Sequence, residues 1–122
     1  LIAVTILTSI NEEDWAGLGM QCTIREQVVR LAKLAKSAGM DGVVASPQEA
    51  AAIREACGPG FMIVTPGVRP AGASVDDQSR IATPAAALEN GASHLVIVRP
   101  IRAAENPKAA AEMILKEMES VK

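Results

Sequence analysis

The chain has 122 residues, of which 49% are hydrophobic and 21% are charged, and its formal net charge is -2. It is long enough for one domain with a single core, but too short for a complete (β/α)8 barrel of about 250 residues. The near balance of 12 basic and 14 acidic residues argues against nucleic-acid or membrane-surface partners, which favour a basic excess. We therefore expect small molecules or other protein chains as partners.

Four short apolar runs, each followed by a loop and a helical pattern, predict four strand-and-helix units in chain order. The predicted strands are residues 2–7, 42–45, 62–65 and 94–98. Each run is too short for a helix and almost continuously apolar, as is typical of parallel strands that are covered on both faces. We expect Trp15, Leu18 and Met20, in the loop after the first strand, to pack down over the sheet.

The predicted helices begin at recognisable capping sequences. Thr23 and Glu26 have the spacing of a capping box, in which each side chain satisfies a backbone amide at the helix start. A capping side chain precedes a proline at the first helical position in three further places, which are Ser46-Pro47, Thr83-Pro84 and Asn106-Pro107. Glycines stand where these helices should end, at Gly39, Gly58 and Gly91.

Consecutive βα units predict a parallel α/β sheet with right-handed crossovers. An open four-stranded sheet would expose two parallel edges, which proteins avoid. We therefore predict that residues 1–122 form a single (βα)4 half of a TIM (β/α)8 barrel, completed by a second copy or by a missing N-terminal half. The chain also starts inside an apolar run without Met, which we interpret as a piece of a longer chain.

Functional side chains of α/β folds follow the carboxyl ends of the strands. Thr8 and Ser9 follow the first predicted strand, Ser46 the second, Arg69 the third and Arg99 the fourth. Two arginines after the last two strands favour a phosphate site, because the guanidinium fork matches phosphate oxygens. Ordinary surface arginines are the alternative interpretation.

Three other features of the sequence are weaker candidates for a functional role. The loop from Arg69 to Ile81 is longer than a βα connection requires and could serve as a lid. Asp76 and Asp77 lack a third ligand at a useful spacing, so we expect no metal site. His94 opens a strand at the end away from the expected site, and we interpret it as a strand residue rather than a catalyst.

The two cysteines, Cys22 and Cys57, have neither metal-binding nor redox spacing and are interpreted as reduced thiols of a cytoplasmic protein. No apolar run reaches the roughly 18 residues of a membrane span, and no basic segment of a signal peptide precedes the first residues. We therefore expect neither of these segments in the chain.

Five segments together resemble, in order and spacing, the C-terminal half of bacterial orotidine 5'-phosphate decarboxylases. They are AVTILTS at 3–9, DGVVAS at 41–46, TPGVRP at 65–70, DQSRIATP at 77–84 and VIVRPI at 96–101. The resemblance implies strands 5 to 8 of a homodimeric (β/α)8 barrel that converts orotidine 5'-phosphate to uridine 5'-phosphate without a cofactor. It also covers essentially the whole chain.

The resemblance further implies a role for each matching position. Thr8 and Ser9 would lie beside the pyrimidine, Arg69 and Gln78 would close over the phosphate, and Arg99 would hold it. Val98 stands where the family has a glycine that lets the backbone approach the phosphate, so we expect its side chain to crowd the anion.

The family's catalytic Asp/Lys/Asp cluster, spaced D-x-K-x-x-D, does not occur in these 122 residues. We therefore expect no catalytic residue in this chain and no decarboxylation by the chain alone. Two alternatives stay open. One is a non-catalytic half-barrel scaffold that associates with itself, and the other is a related sugar-phosphate decarboxylase or aldolase.

Overall fold

The computed structural model describes residues 1–70 and 82–121. Its four strands form one parallel sheet in the order β1-β2-β3-β4, which confirms the predicted series of βα units. The elements in chain order are β1 (Ile2–Val4), α1 (Glu12–Gly17), α2 (Ile24–Ser37), β2 (Gly42–Val44), α3 (Ala50–Cys57), β3 (Met62–Thr65), α4 (Pro84–Glu89), β4 (His94–Leu95), α5 (Arg99–Arg102) and α6 (Pro107–Glu119).

Three strands end earlier than predicted. β1 ends at Val4 instead of residue 7, β4 ends at Leu95 instead of residue 98, and β2 is one residue shorter than predicted. β1 and β4 are the edge strands, so each has a neighbour on only one side. Their backbone bonding continues by single hydrogen bonds, from Thr5 N to the Val44 carbonyl at 3.0 Å and from Val96 N to the Thr65 carbonyl at 2.9 Å.

Helices cover one face of the sheet, whereas the continuous apolar runs of the strands predict that both faces are covered. Sequential strand order with crossovers of one hand places all the helices on the same side. Val43 and Ile63 are aligned in neighbouring strands and fully buried on that side. The next aligned row, Val4, Val44 and Val64, faces the other way, and Val4 is 62% exposed. The second face is therefore apolar and incompletely covered by the described residues.

The predicted caps form at three of the four helix starts. At α2, Glu26 N donates to Thr23 Oγ1 at 3.1 Å and Thr23 N donates to Glu26 Oε2 at 3.3 Å, which completes the capping box. The Thr83 and Asn106 side chains accept from backbone amides at the starts of α4 and α6. Gly39, Gly58 and Gly91 have the expected positive φ angles of 87°, 88° and 106°.

The predicted cap at Ser46 is wrong, because α3 begins only at Ala50. Ser46 Oγ instead accepts from Gln48 N at 3.2 Å, and the Glu49 amide donates to the Ser46 carbonyl at 3.1 Å. A serine hydroxyl that bonds the backbone two residues on favours a turn over a helix. The turn carries the chain from β2 across the end of the sheet before the helix begins.

Residues after β1 form the short helix α1 where the sequence had predicted a loop. Trp15 packs into the core as expected, at 8% exposure, and its indole N–H donates to the Cys22 carbonyl at 2.8 Å. Leu18 and Met20 are 69% and 37% exposed, so the prediction that they also pack over the sheet is wrong. A helix of six residues presents only one side to the sheet, and Trp15 occupies it.

The core lies between the sheet and helices α2 and α3. Its least exposed large side chains are Ile24, Val28, Ile53 and Ile63. A smaller cluster of Val68, Ala87 and Ala92 lies at the β4 end of the sheet. The first three βα units therefore contain the larger buried core, and the cluster near β4 is smaller.

Candidate functional site

The predicted site residues that the structure describes all follow strands of the parallel sheet, and they therefore lie at the edge where the strands have their carboxyl ends. Thr8 is buried and Ser9 exposed in the loop after β1. Arg69 is buried in the loop after β3. Val98 and Arg99 follow β4 at the beginning of α5. Five of the six predicted binding residues thus share this edge.

The loop between β3 and α4 is tied together at its base. Gly67 has a φ of 74°, a left-handed conformation that only glycine adopts readily. Directly after this turn, Val68 forms a parallel bridge with Ala82, and Arg69 N donates to the Ala82 carbonyl at 2.9 Å. Gln78 and the remainder of the predicted lid, residues 71–81, lie outside the described residues.

Arg69 is a buried cation at this edge. Its side chain is 7% exposed, and Nη1 donates to the neighbouring Val68 carbonyl at 2.9 Å. Its Nε is buried and has no hydrogen-bond partner among residues 1–70 and 82–121. A buried charged donor is costly to leave unsatisfied. The Arg69 guanidinium is therefore suited to bind an anion at the carboxyl ends of the strands.

Glu49 is a buried carboxyl group that sequence reasoning missed. It precedes α3 at the same edge of the sheet and is 3% exposed. The available signal was its spacing, because Glu49 lies four residues before the buried Ile53 and thus on the same side of the helix. Apolar periodicity alone does not select a glutamate, so the pattern did not mark Glu49 as a site residue.

Val98 occupies ordinary backbone rather than a conformation that demands glycine. Its φ and ψ are -118° and -70°, and its side chain is 56% exposed. A valine is therefore accommodated without backbone strain. Any effect of Val98 on a bound anion must come from the space that its two methyl groups occupy beside Arg99.

His94 lies away from this edge, as predicted. It is exposed at the start of β4, and its Nδ1 is 3.1 Å from Ser93 Oγ. These groups are separated from the candidate site by the length of the strands.

The parts of the chain that the structure describes contain no group of three His, Cys, Asp or Glu side chains that could hold a metal ion. They also contain no helix of sufficient length and apolarity to cross a bilayer. The chemistry of the strand ends is instead that of arginines, hydroxyl groups and one buried carboxyl group.

Comparisons with known proteins agree with this architecture. The sequence profile of the "Orotidine 5'-phosphate decarboxylase / HUMPS family" matches residues 1–114. The chain is 60% identical over 118 residues to "Orotidine 5'-phosphate decarboxylase" of Geobacter sp. (strain M21) and 59% identical over 123 aligned positions to that of Moorella thermoacetica. These alignments cover 97% and 100% of this chain but only 49% of either relative.

Solved structures give the same picture. The crystal structure of orotidine 5'-phosphate decarboxylase from Lactobacillus acidophilus superposes with a TM-score of 0.77 at 43% identity, over 96% of this chain and 48% of that one. The enzyme from Pyrococcus horikoshii superposes with a TM-score of 0.62 at 28% identity, over 80% of this chain and 44% of that one. The chain spans about half the length of the proteins it matches.

Proposed function

The chain belongs to the orotidine 5'-phosphate decarboxylase / HUMPS family, and we propose that it is the C-terminal (βα)4 half of an orotidine 5'-phosphate decarboxylase. Residues 1–122 would supply strands 5 to 8 of the barrel. The assembled enzyme, a cytoplasmic homodimer, would convert orotidine 5'-phosphate to uridine 5'-phosphate and CO2 without a cofactor. The free thiols of Cys22 and Cys57 support a reducing compartment.

The observation that carries this proposal is the buried guanidinium of Arg69 at the carboxyl end of β3. Its Nε lacks a partner among the described residues, and its backbone is fixed by the bond to Ala82. A nucleotide phosphate would supply the missing acceptor with a full negative charge. Charge-assisted hydrogen bonds of this kind are about twice as strong as neutral ones.

The other site residues have separate roles in this proposal. Arg99 binds the phosphate from the loop after β4, and Gln78 closes over it from the segment after β3. Thr8 and Ser9 lie beside the pyrimidine at the end of β1. Because the phosphate is remote from the reacting carbon, its binding energy would organise the loops rather than act on the bond that breaks.

The proton chemistry would come from the other half of the barrel. A lysine must protonate the carbanion that remains when CO2 leaves, and the D-x-K-x-x-D sequence that supplies it in the family is not among these 122 residues. Positioning alone does not replace a missing proton donor. The isolated chain is therefore a binding half that becomes active when the complementary half is present.

A self-associating, non-catalytic half-barrel is the second candidate, and Val98 is the observation that favours it. Its side chain occupies space next to Arg99 and is 56% exposed. In such a scaffold, this side chain would fill space that substrate takes in the enzyme. Binding of uridine 5'-phosphate distinguishes the two candidates, because a non-catalytic scaffold does not require a site for this nucleotide.

The decisive experiment supplies the missing half. We would co-express this chain with the half of the Geobacter sp. (strain M21) relative that it does not span, and follow loss of orotidine absorbance. We expect turnover by the pair, none by either half alone, and a large loss of turnover with Arg69→Lys in this chain. Turnover by this chain alone, or none by a folded 1:1 pair, contradicts the proposal.

A further inference from the structure

One asparagine of the chain is followed by a glycine. The sequence contains three asparagines, Asn11, Asn90 and Asn106, and only Asn90 precedes a glycine. In an Asn-Gly pair the backbone nitrogen of the second residue can approach the side-chain amide carbon of the first, because glycine has no Cβ to obstruct it. Asn90 is also exposed, at the end of α4. Both features favour spontaneous loss of ammonia from its side chain.

The fold holds this pair in an unreactive geometry. Gly91 N donates to the Leu88 carbonyl at 2.9 Å and Ala92 N donates to the Ala87 carbonyl at 3.1 Å, which together form a Schellman-type helix end around Gly91. The ring that forms during loss of ammonia requires Asn90 Cβ and Gly91 N on the same side of the Cα–C bond. The observed ψ of -2° places Gly91 N beside Asn90 N instead. The turn must therefore open before the side chain can react.

Arg54 of α3 holds the same turn from outside. Its Nη2 and Nε donate to the Gly91 carbonyl at 2.7 and 3.1 Å. The turn also packs against the stem of this side chain, since a Cβ built at Gly91 would lie 3.0 Å from Arg54 Cβ. Rotation about the Cα–C bond of Asn90 displaces the Gly91 carbonyl and breaks both hydrogen bonds. The Arg54 contact therefore opposes the rotation that the reaction needs.

We propose that Asn90-Gly91 is a site of spontaneous deamidation, which the Arg54 contact keeps closed in the folded chain. In the first step a bond forms between Gly91 N and Asn90 Cγ, and the bond from Cγ to Nδ2 breaks. Nδ2 leaves as ammonia and takes the proton of Gly91 N. Water then opens the ring at either carbonyl carbon and leaves an aspartate or an isoaspartate at position 90. Neither step changes an oxidation state, and water is the one co-reactant.

The product does not fit the closed turn. An isoaspartate adds one backbone carbon before Gly91, so Gly91 N and Ala92 N no longer reach their two carbonyls together. The new carboxylate also stands at the carboxyl end of α4, where the helix carbonyls already carry partial negative charge. Ala87 and Ala92 pack with Val68, the residue before Arg69. Deamidation therefore loosens the packing behind the buried arginine of the candidate site.

The test incubates the full chain at neutral pH, either folded or in guanidinium chloride, and quantifies deamidation at each asparagine by peptide mass spectrometry. We expect reaction at Asn90 well before Asn11 or Asn106. It should be about tenfold or more faster in the denaturant, because a folded segment reacts only when it opens. Arg54→Lys should accelerate the reaction of the folded chain about tenfold or more and leave the rate in denaturant unchanged.

Val28→Ala is the matched control, because it separates local opening of the turn from a general loss of stability. Val28 is fully buried in the main core, so its truncation lowers the stability of the fold while the hydrogen bonds of Arg54 remain. Unfolding in urea places both variants on one stability scale. At equal unfolding free energy, Val28→Ala should deamidate more slowly than Arg54→Lys.

Three results would overturn the proposal. Asn90 could react no faster than the other asparagines in denaturant, it could react equally fast in the folded chain, or Arg54→Lys could react no faster than Val28→Ala of equal stability. Asn90→Ser tests the consequence, because it removes the reactive amide. After incubation in denaturant and refolding, the wild type should unfold at a lower urea concentration than before, and Asn90→Ser should not. Equal changes in both chains would contradict the effect on the turn.

Discussion

The guanidinium of Arg54 binds the carbonyl of Gly91, to which Nη2 and Nε donate at 2.7 and 3.1 Å. The remaining nitrogen, Nη1, donates to the Gly58 carbonyl at 2.8 Å and the Phe61 carbonyl at 2.5 Å. One side chain of α3 thereby joins the end of its own helix, the start of β3 and the turn before β4. These carbonyls lie at the amino ends of the strands, so this junction supports the sheet opposite the candidate site.

Arg54→Lys should destabilise the fold while leaving the strand ends chemically unchanged. An ammonium group cannot reproduce the planar fork that reaches these carbonyls, and hydrogen bonds to charged groups contribute about 1.5–3 kcal/mol each. We expect unfolding in urea to show a loss of about 2–4 kcal/mol. Arg30→Lys is the control, because Arg30 is exposed and makes a single 3.3 Å bond to Gln27. Equal losses for both variants would contradict the role of Arg54.

Gly42→Ala should be among the most destabilising single-methyl changes in the sheet. A Cβ at Gly42 would overlap the Met62 carbonyl oxygen and lie 2.5 Å from Met62 Cβ, in the strand paired with it. Backbone must move to relieve such a contact, and overpacking of this kind costs about 1–3 kcal/mol or more. Thermal unfolding measures the loss.

Gly17→Ala is the matched control for Gly42. Among the described residues, no atom outside its chain neighbours and its own helix backbone lies within 4 Å of a Cβ built there, and the residue ends helix α1. Alanine at that position should be neutral or stabilising by up to about 1 kcal/mol, because it restricts the unfolded chain. If Gly42→Ala melts at the same temperature as Gly17→Ala, the close approach of β2 and β3 is not as tight as the structure indicates.

Val98→Gly should tighten binding of uridine 5'-phosphate by the complex with the complementary half. Removing the isopropyl group frees space beside Arg99 for the anion, and an improvement of about tenfold corresponds to about 1.4 kcal/mol. Titration calorimetry on the wild type, Val98→Ala and Val98→Gly should show a graded increase. Equal affinities across the three proteins would remove the steric argument, since φ at Val98 is already accessible to any residue.

Thr23→Ala should weaken the start of α2, the helix that packs against α3 and the sheet. The threonine hydroxyl accepts the Glu26 amide at 3.1 Å, and loss of such a cap costs about 1 kcal/mol. Ser37→Ala, at the other end of the same helix, removes only a bond to the Leu34 carbonyl and should cost less. Urea unfolding of the two variants compares them directly, and a larger loss at Ser37 would contradict the importance of the capping box.

Local sequence predicted the order of the elements well, because the signals involved act over a few residues. The Thr23 box, the Thr83 and Asn106 caps and the left-handed glycines depend on side chains bonding their own backbone neighbours. Ser46 was the exception. A serine hydroxyl at this position can cap a helix or stabilise a turn. The Ser46 hydroxyl accepts from the Gln48 amide and stabilises a turn.

The candidate site was predictable to the extent that it depends on strand order. Parallel strands bring residues that follow them to one edge, so Thr8, Arg69 and Arg99 could be grouped without coordinates. Burial could not be predicted in the same way. Arg69 and Glu49 are only 7% and 3% exposed. Charged residues are almost never fully buried unless they are paired, so their identity alone predicts exposure to solvent.

The sequence by itself determined four βα units, their capped helices and the family to which they belong, because those properties reside in short segments and their spacing. Only the tertiary structure decided which face of the sheet the helices cover and which flank of α2 remains apolar and open. Those properties depend on contacts between residues far apart in the chain, such as the hydrogen bond from Arg54 to the Gly91 carbonyl. A periodic apolar pattern indicates that a side chain is buried, but only the assembled fold determines which residues pack against it.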